Sequence, residues 1–128
     1  MKELHARLQA FPGARLEHPF RPEVAVYKVH GKIFAMLAQG SAAPRVTLKC
    51  DPVLAEALRR EHSAVRPGYH TNKRHWNTVY LETPIPEQVL WNMMATSYDL
   101  VCAALPRRVR ETLQSDLRTS DPVRPPNR

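Results

Sequence analysis

The sequence predicts an α+β fold, a two-layer sandwich in which helices pack on one face of an antiparallel sheet. Segments with strand character follow one another across tight-turn residues, which favours antiparallel neighbours. Segments with helical spacing stand at the beginning, in the middle and towards the end of the chain, without the regular alternation of a parallel sheet. The chain has 128 residues, which suits a single domain, and we place that domain at residues 1–117.

The first predicted element is a helix from Met1 to about Phe11. Leu4, Leu8 and Phe11 recur at i, i+4 and i+7 and therefore share one face, which we expect to pack on the sheet. Pro12-Gly13 ends this helix, because these residue types interrupt helical structure.

Two strands, Val24–Val29 and Lys32–Leu37, are predicted on either side of His30-Gly31. A connection of two residues with glycine in second place is typical of a tight hairpin, whose turn needs positive φ angles. The sequence therefore predicts that these strands pair with each other.

A further strand is predicted at Arg45–Lys49. Its alternation places Val46 and Leu48 on one face and the cations on the other. We therefore expect one face of the sheet to be basic and solvated.

Asp51-Pro52 marks the start of a second helix, which runs to about His62. The aspartate side chain accepts from free amide groups, and proline at the first helical position has no N–H to leave unpaired. After Pro67-Gly68, residues 69–76 are polar and are predicted to form a loop that enters a strand at 77–81.

A longer helix is predicted from Pro86 to Leu105, on the helical spacing of Leu90, Met93, Met94, Ser97, Val101 and Ala104. Residues 107–117 are predicted to form one more short helix. Residues 118–128 are rich in proline and poor in apolar residues, so we expect a disordered tail there.

The formal net charge of +7 is unevenly distributed along the chain. Residues 18–50 carry a net charge of +4, and residues 63–81 carry three cations and no acid, whereas residues 82–105 carry −3. A local basic patch attracts an anionic partner. Such a partner is therefore expected at the middle of the chain.

The sequence has no apolar run near the roughly 20 residues of a membrane-spanning helix, and its N-terminus lacks the apolar segment of a secretory signal. We expect a cytoplasmic protein with no membrane partner. Cys50 and Cys102 stand far apart without a second cysteine nearby, which argues against a zinc knuckle, a redox pair or a disulfide framework. Both are expected to be reduced and packed.

The most distinctive segment of the chain is Pro67-Gly68-Tyr69-His70-Thr71-Asn72-Lys73-Arg74-His75-Trp76-Asn77-Thr78. It is accompanied by Pro12-Gly13, Tyr27-Lys28-Val29, Gly31-Lys32-Ile33-Phe34-Ala35, Leu48-Lys49 and Ser97-Tyr98-Asp99-Leu100-Val101. This combination, over about residues 4–110, resembles the YjbR/MmcQ-like family. The resemblance implies a two-layer α+β fold akin to secretion chaperones and a DNA-binding role.

Candidate binding residues lie in the basic middle of the chain. Lysine and arginine bind phosphates, whereas asparagine and histidine donors reach base edges. The candidates in the loop are His70, Asn72, Lys73, Arg74 and His75, and those in the sheet are Lys28, Lys32, Arg45 and Lys49. The plainer interpretation is a solvated turn and a solvated sheet face, with Trp76 as an anchor. The lack of a compensating carboxylate in the loop, beside a tryptophan that offers a stacking face, favours function.

Other chemistry fits the sequence less well. His70 and His75 have no cysteine or carboxylate nearby to complete a zinc site, and residues 63–81 lack the carboxylates of Mg²⁺ chemistry. A metal-free enzyme with these histidines as acid and base and Lys73 at an oxyanion is one alternative. A protein-interaction or chaperone-like module, using the acidic 82–105 helix or a sheet edge, is another. The sequence favours a non-enzymatic, cofactor-free protein that binds nucleic acid, with DNA as the expected partner.

Overall fold

Six strands and four helices make up the part of the chain that the structure describes. This structure, a computed structural model, describes residues 2–40, 43–68 and 71–119, and only the backbone of 114–119. In chain order the elements are α1 (Lys2–Gln9), β1 (Ala14–Glu17), β2 (Val24–Val29), β3 (Lys32–Ala38), β4 (Arg45–Lys49), α2 (Pro52–Glu61), β5 (Val65–Pro67), β6 (Trp76–Tyr80), α3 (Glu87–Ala103) and α4 (Arg107–Thr119).

The strands form one antiparallel sheet in the order β1-β2-β3-β4-β6-β5. Alternate strand residues on one face join a single core with side chains from all four helices. Leu8 of α1, Met94 of α3 and Leu113 of α4 are core residues, and Leu58 of α2 is partly buried against them. The helices therefore pack on one face of the sheet, and the predicted two-layer α+β sandwich is confirmed.

The predicted hairpin between β2 and β3 is also confirmed. His30 and Gly31 both have positive φ, 47° and 79°, as a turn of this kind requires. Val29 pairs with Lys32 across the turn. A bulge between Tyr27 and Lys28 then shifts the register of the two strands.

The second helix begins where the sequence predicts it. The Asp51 carboxylate accepts from the N–H of Leu54 at 3.2 Å, and Pro52 opens the helix. The first helix ends at Gln9, two residues before the predicted end at Phe11. Phe11 nevertheless packs in the helix layer, where its ring stacks on that of Tyr98 with centroids 4.7 Å apart.

Both edge strands, β1 and β5, are absent from the sequence prediction. β1 has four residues and lies between Pro12 and Pro19, and β5 has three residues and ends at Pro67, so neither carries the long alternation that marks a strand. At the other end of the chain, α4 continues to Thr119, two residues into the predicted tail. The rest of that predicted tail lies outside the described residues.

Candidate functional site

The face of the sheet that turns away from the helices, here called the open face, carries most of the polar strand residues. Its assignment follows from register and from the side chains that mark the opposite face. Asn77 and Val79 of β6 point towards the helices, because Asn77 is bonded to Arg59 of α2 and Val79 lies in the core. The alternate residues Trp76, Thr78 and Tyr80 therefore lie on the open face.

Five cations lie on the open face. β1, β2 and β5 contribute one each, and β4 contributes two. Cross-strand partners share a face, so the pairing of the strands places them there together. The five are Arg15, Lys28, Arg45, Lys49 and Arg66. Glu17 is the one carboxylate in the six strands. The open face is therefore strongly basic.

Arg15 and Lys28 stand directly opposite each other on β1 and β2. Like charges in this position repel and destabilise a sheet. Glu17 relieves part of the repulsion, because its carboxylate lies 3.0 Å from Lys28 Nζ. An anion bound at this edge of the sheet would relieve it further.

Lys32 does not join the other sheet candidates. It pairs with Val29, whose side chain lies in the core, so the register places Lys32 at the rim of the helix-covered face. A hairpin turn of two residues dictates this arrangement, since it pairs residues three positions apart and puts Lys28 and Lys32 on opposite faces. Of the four sheet candidates, the structure brings together Lys28, Arg45 and Lys49.

The middle of the open face is a row of small and apolar side chains. Val26, Met36, Thr47 and Thr78 are successive cross-strand partners. The hydroxyls of the two threonines are 2.8 Å apart and bonded to each other, and both residues are buried. Arg66 of β5, the partner of Thr78, extends this row, and the other cationic and aromatic side chains stand on either side of it.

The two aromatic residues of the open face each stand beside a cation. Trp76 is the cross-strand partner of Lys49, and Tyr80 is the partner of Arg45. On its other side Trp76 meets Gly68, whose N–H donates to the Trp76 carbonyl at 2.9 Å. A Cβ on Gly68 would lie 2.7 Å from that of Trp76 and 2.2 Å from Thr71 Oγ1, so this close approach needs glycine.

The loop before β6 holds its own cations against α2 and away from the open face. Lys73 and Arg74 line a cavity of about 310 Å³ together with Pro52, Val53, Glu56 and Arg59. The Arg59 guanidinium donates to the Lys73 carbonyl and, at 2.7 Å, to Asn77 Oδ1. The loop thus forms a second basic cluster at the end of the sheet, with Glu56 as the acid on its border.

Several polar groups of this loop form hydrogen bonds that fix its shape and position. Asn72 Oδ1 accepts from the N–H of Arg74 at 3.0 Å, and Lys73 Nζ donates to the Gly68 carbonyl at 3.1 Å. The carbonyl of His75, a half-buried residue, accepts from the N–H of Cys50 at 2.7 Å. His70, the remaining loop candidate, lies outside the described residues.

A mainly apolar cleft separates α2 from α3 on the other side of the sheet. It has a volume of about 290 Å³, and its lining includes Leu54, Leu58, Val89 and Met93. Cys50 also lines it. The described cysteines are not in disulfides, and burial raises the pKa of both thiols, so they stay protonated at neutral pH.

Arg15 and Arg66 are the candidate binding residues that the sequence analysis misses. They belong to the two edge strands, whose short length hides their alternation. The Gly13 and Gly68 positions beside those strands are the one local signal of a chain reversal. Among the described residues, no group of three histidine, cysteine or carboxylate side chains is placed to hold a metal. No described helix is both long enough and apolar enough to cross a membrane.

A small antiparallel sandwich with helices on one face and a basic sheet surface on the other is the class that this geometry defines. The chain belongs to the YjbR family, whose model matches residues 9–100. All the strands and all the candidate site residues lie within that match. The N-terminal part of α1 and the whole of α4 lie outside it.

Two curated relatives show how far the similarity extends. The uncharacterized protein YjbR of Escherichia coli K12 is 37% identical over 113 residues, which cover 88% of this chain and 96% of that protein. The uncharacterized protein YbdF of Escherichia coli O157:H7 is 36% identical over 97 residues, covering 76% of this chain and 80% of the relative.

Solved structures show the same fold. The crystal structure of the Deinococcus radiodurans protein DR2400 matches with a TM-score of 0.82 and 31% identity, over 88% of this chain and 86% of that one. A crystal structure of a Pseudomonas syringae protein matches with a TM-score of 0.67 and 26% identity, over 77% of this chain and 96% of that one.

Proposed function

We propose that this protein is a non-enzymatic nucleic-acid-binding protein, with DNA as the expected partner. The observation that carries the proposal is the convergence of five cations from four strands on one face of the sheet, with Glu17 as the one strand carboxylate. Phosphate contacts from lysine and arginine supply most of the sequence-independent affinity for nucleic acids. Cations that are spaced along and across a sheet can contact several phosphates of one nucleic-acid backbone.

The loop cluster gives the protein a second point of contact, at the end of the sheet beside the open face. Trp76 opens β6 on the open face, and Lys73 and Arg74 precede it by only two or three residues. A nucleic-acid strand that crosses the end of the sheet would meet both clusters. Asn72 and His75 belong to the same loop, where the Asn72 side chain fixes the shape of the loop and the His75 carbonyl holds it against the sheet.

Binding fits the open face better than catalysis does. Its one carboxylate, Glu17, is ion-paired with Lys28, and its two buried hydroxyls, Thr47 and Thr78, bond to each other. A general base has to be within hydrogen-bond reach of a substrate proton and unengaged. The face therefore offers cations and aromatic rings without an acid–base pair.

Fluorescence anisotropy with a labelled oligonucleotide tests the proposal directly. At about 50 mM salt the protein is expected to bind, and the double variant Lys49→Gln with Arg66→Gln should bind roughly ten-fold or more weakly, because two phosphate contacts are lost. The matched control is Arg60→Gln with Arg108→Gln, which removes two exposed charges from the helices. Equal affinity of the two double variants, or no binding to DNA or RNA at all, contradicts the proposal.

The cleft between α2 and α3 favours the alternative of a protein-binding module. Leu54 of α2 lines this apolar cleft and is 41% exposed, and exposed apolar surface is typical of interaction sites. Leu54→Gln would weaken a protein complex and leave nucleic-acid binding unchanged. The open-face variants should show the opposite pattern, weaker nucleic-acid binding and an unchanged protein complex. This difference separates the two functions.

A further inference from the structure

The aromatic residues of the open face point to a preference among nucleic acids. We infer that the open face is a platform for single-stranded nucleic acid, on which Trp76 and Tyr80 stack unpaired bases while Lys49 and Arg45 bind the adjoining phosphates. This inference rests on the proposed function and specifies its substrate class.

The first step is the repeated arrangement along β6 and β4. Each aromatic residue stands directly beside a cation on the neighbouring strand, Trp76 beside Lys49 and Tyr80 beside Arg45. The two pairs are four residues apart along the strands, which corresponds to about 13 Å. A base on each ring and a phosphate at each cation would hold one extended strand across the sheet.

The second step is the accessibility of the rings. Trp76 and Tyr80 are half-buried residues, and neither belongs to the core. Between them the row holds Thr78, which is buried and bonded to Thr47, so no bulky group separates the two rings. On the β5 side Trp76 faces Gly68, which itself carries no side chain, and Thr71 Oγ1 lies close to that position.

The third step is the difference between single and double strands. In a duplex the faces of the bases are stacked inside and cannot meet a protein ring. In a single strand each base has a free face, and stacking on an aromatic side chain adds to the phosphate contacts. The cations can bind the phosphates of a duplex and of a single strand, whereas the rings can stack only on the unpaired bases of a single strand.

The two tryptophans of the chain allow a sharp test. Trp91 lies on α3, on the helix side, with the Arg7 guanidinium 4.0 Å from its ring centre. Trp91→Phe leaves Trp76 as the one tryptophan, and Trp76→Phe leaves Trp91. Both variants are titrated with a mixed-sequence DNA strand of about 15 nucleotides, its RNA counterpart and the matching DNA duplex at about 50 mM salt.

We expect a single strand to quench Trp76 and to leave Trp91 unchanged. The single strand should bind about ten-fold or more tightly than the duplex, and Tyr80→Ala should reduce its affinity by a similar factor, as the loss of one stacked base implies. The comparison of DNA with RNA identifies the sugar that the face prefers. The fluorescence measurement on Trp91→Phe leaves both open-face rings in place, so it does not depend on whether ring variants fold.

Two results overturn the inference. If duplex and single strand bind equally and Trp76 is not quenched, the cations act without the rings, and the proposed function stands alone. If neither form binds at about 50 mM salt, the proposed function fails as well.

Discussion

Ser97 is a buried hydroxyl of α3 that completes the hydrogen bonding of two strands. It donates to the Phe34 carbonyl at 2.6 Å and accepts from the Lys49 N–H at 2.8 Å. The pairing of β3 with β4 ends nearby, at Ala35 and Leu48. The serine therefore takes the place of the next bonds of the ladder and fixes the strand that carries Lys49 to the helix layer.

Replacing Ser97 with alanine leaves both of these backbone groups without their partner. We expect the free energy of unfolding to fall by about 1–3 kcal/mol, measured by urea denaturation followed by circular dichroism. The neighbouring half-buried Thr96 is the control, and Thr96→Ala should cost less than about 1 kcal/mol. Equal losses in the two variants would show that the serine does not bridge the strands.

His5 of α1 makes stability depend on pH. It is hydrogen-bonded to Tyr27, and burial, with smaller contributions from the N-terminal charge and His18, lowers its pKa below the ordinary value of 6.5. As the pH falls, the unfolded chain therefore takes up this proton before the folded protein does. The contribution to stability is complete above about pH 6.5 and is lost progressively below it.

His5→Gln should remove this part of the pH dependence. Between about pH 7.5 and pH 5 the melting temperature of the variant is expected to fall less than that of the natural sequence, because glutamine binds no proton in this range. His30→Gln, at the exposed hairpin turn, is the control. An identical pH profile for His5→Gln and the natural sequence would refute the assignment.

Signals within each helix or strand decide which elements the sequence predicts. The hairpin, the start of α2 and the long α3 are predicted because glycine at a turn, an aspartate cap and apolar spacing act within a few residues. The edge strands β1 and β5 are missed because each is too short to show an alternation and is held in place by its pairing with a neighbouring strand. The same reason hides Arg15 and Arg66 from the predicted site, whereas Lys28, Arg45 and Lys49 lie on strands that are recognised.

The last helix, α4, lies outside the family match but is joined to the core by Leu113. That side chain is 6% exposed and packs over Gly13, where an added Cβ would lie 2.9 Å from Leu113 Cδ2. Leu113→Ala should lower the free energy of unfolding by about 2–5 kcal/mol, the usual cost of such a cavity. The adjacent exposed Thr112→Ala should change it by less than about 1 kcal/mol. A neutral Leu113→Ala would mean that α4 is dispensable for stability.

Charge and apolar surface are divided between the two layers of the protein. The helix layer contains the core and the acidic residues Glu87 and Asp99 of α3, while the open face holds five cations against Glu17. The loop cluster of Lys73 and Arg74 adds charge at one end, on the α2 side. A single nucleic-acid strand can reach both clusters only by crossing the N-terminal end of β6.

The salt dependence of binding shows whether one nucleic-acid strand contacts both clusters. About 3–5 phosphate contacts give a slope of log affinity against log salt of about −3 to −4.5 on duplex DNA and about −2 to −3.5 on a single strand. Lys73→Ala with Arg74→Ala should make the slope shallower by the amount that up to two phosphate contacts contribute. Lys49→Gln with Arg66→Gln should reduce it by a similar amount. If one nucleic-acid strand spans both clusters, the two reductions add in the quadruple variant.

Lys73 Nζ also donates to the Gly68 carbonyl, so the stability of the loop variant is measured as a control. Its free energy of unfolding is expected to fall by up to about 1 kcal/mol. A slope that the loop variant leaves unchanged would restrict the binding surface to the open face, because the loop cations would then release no counterions.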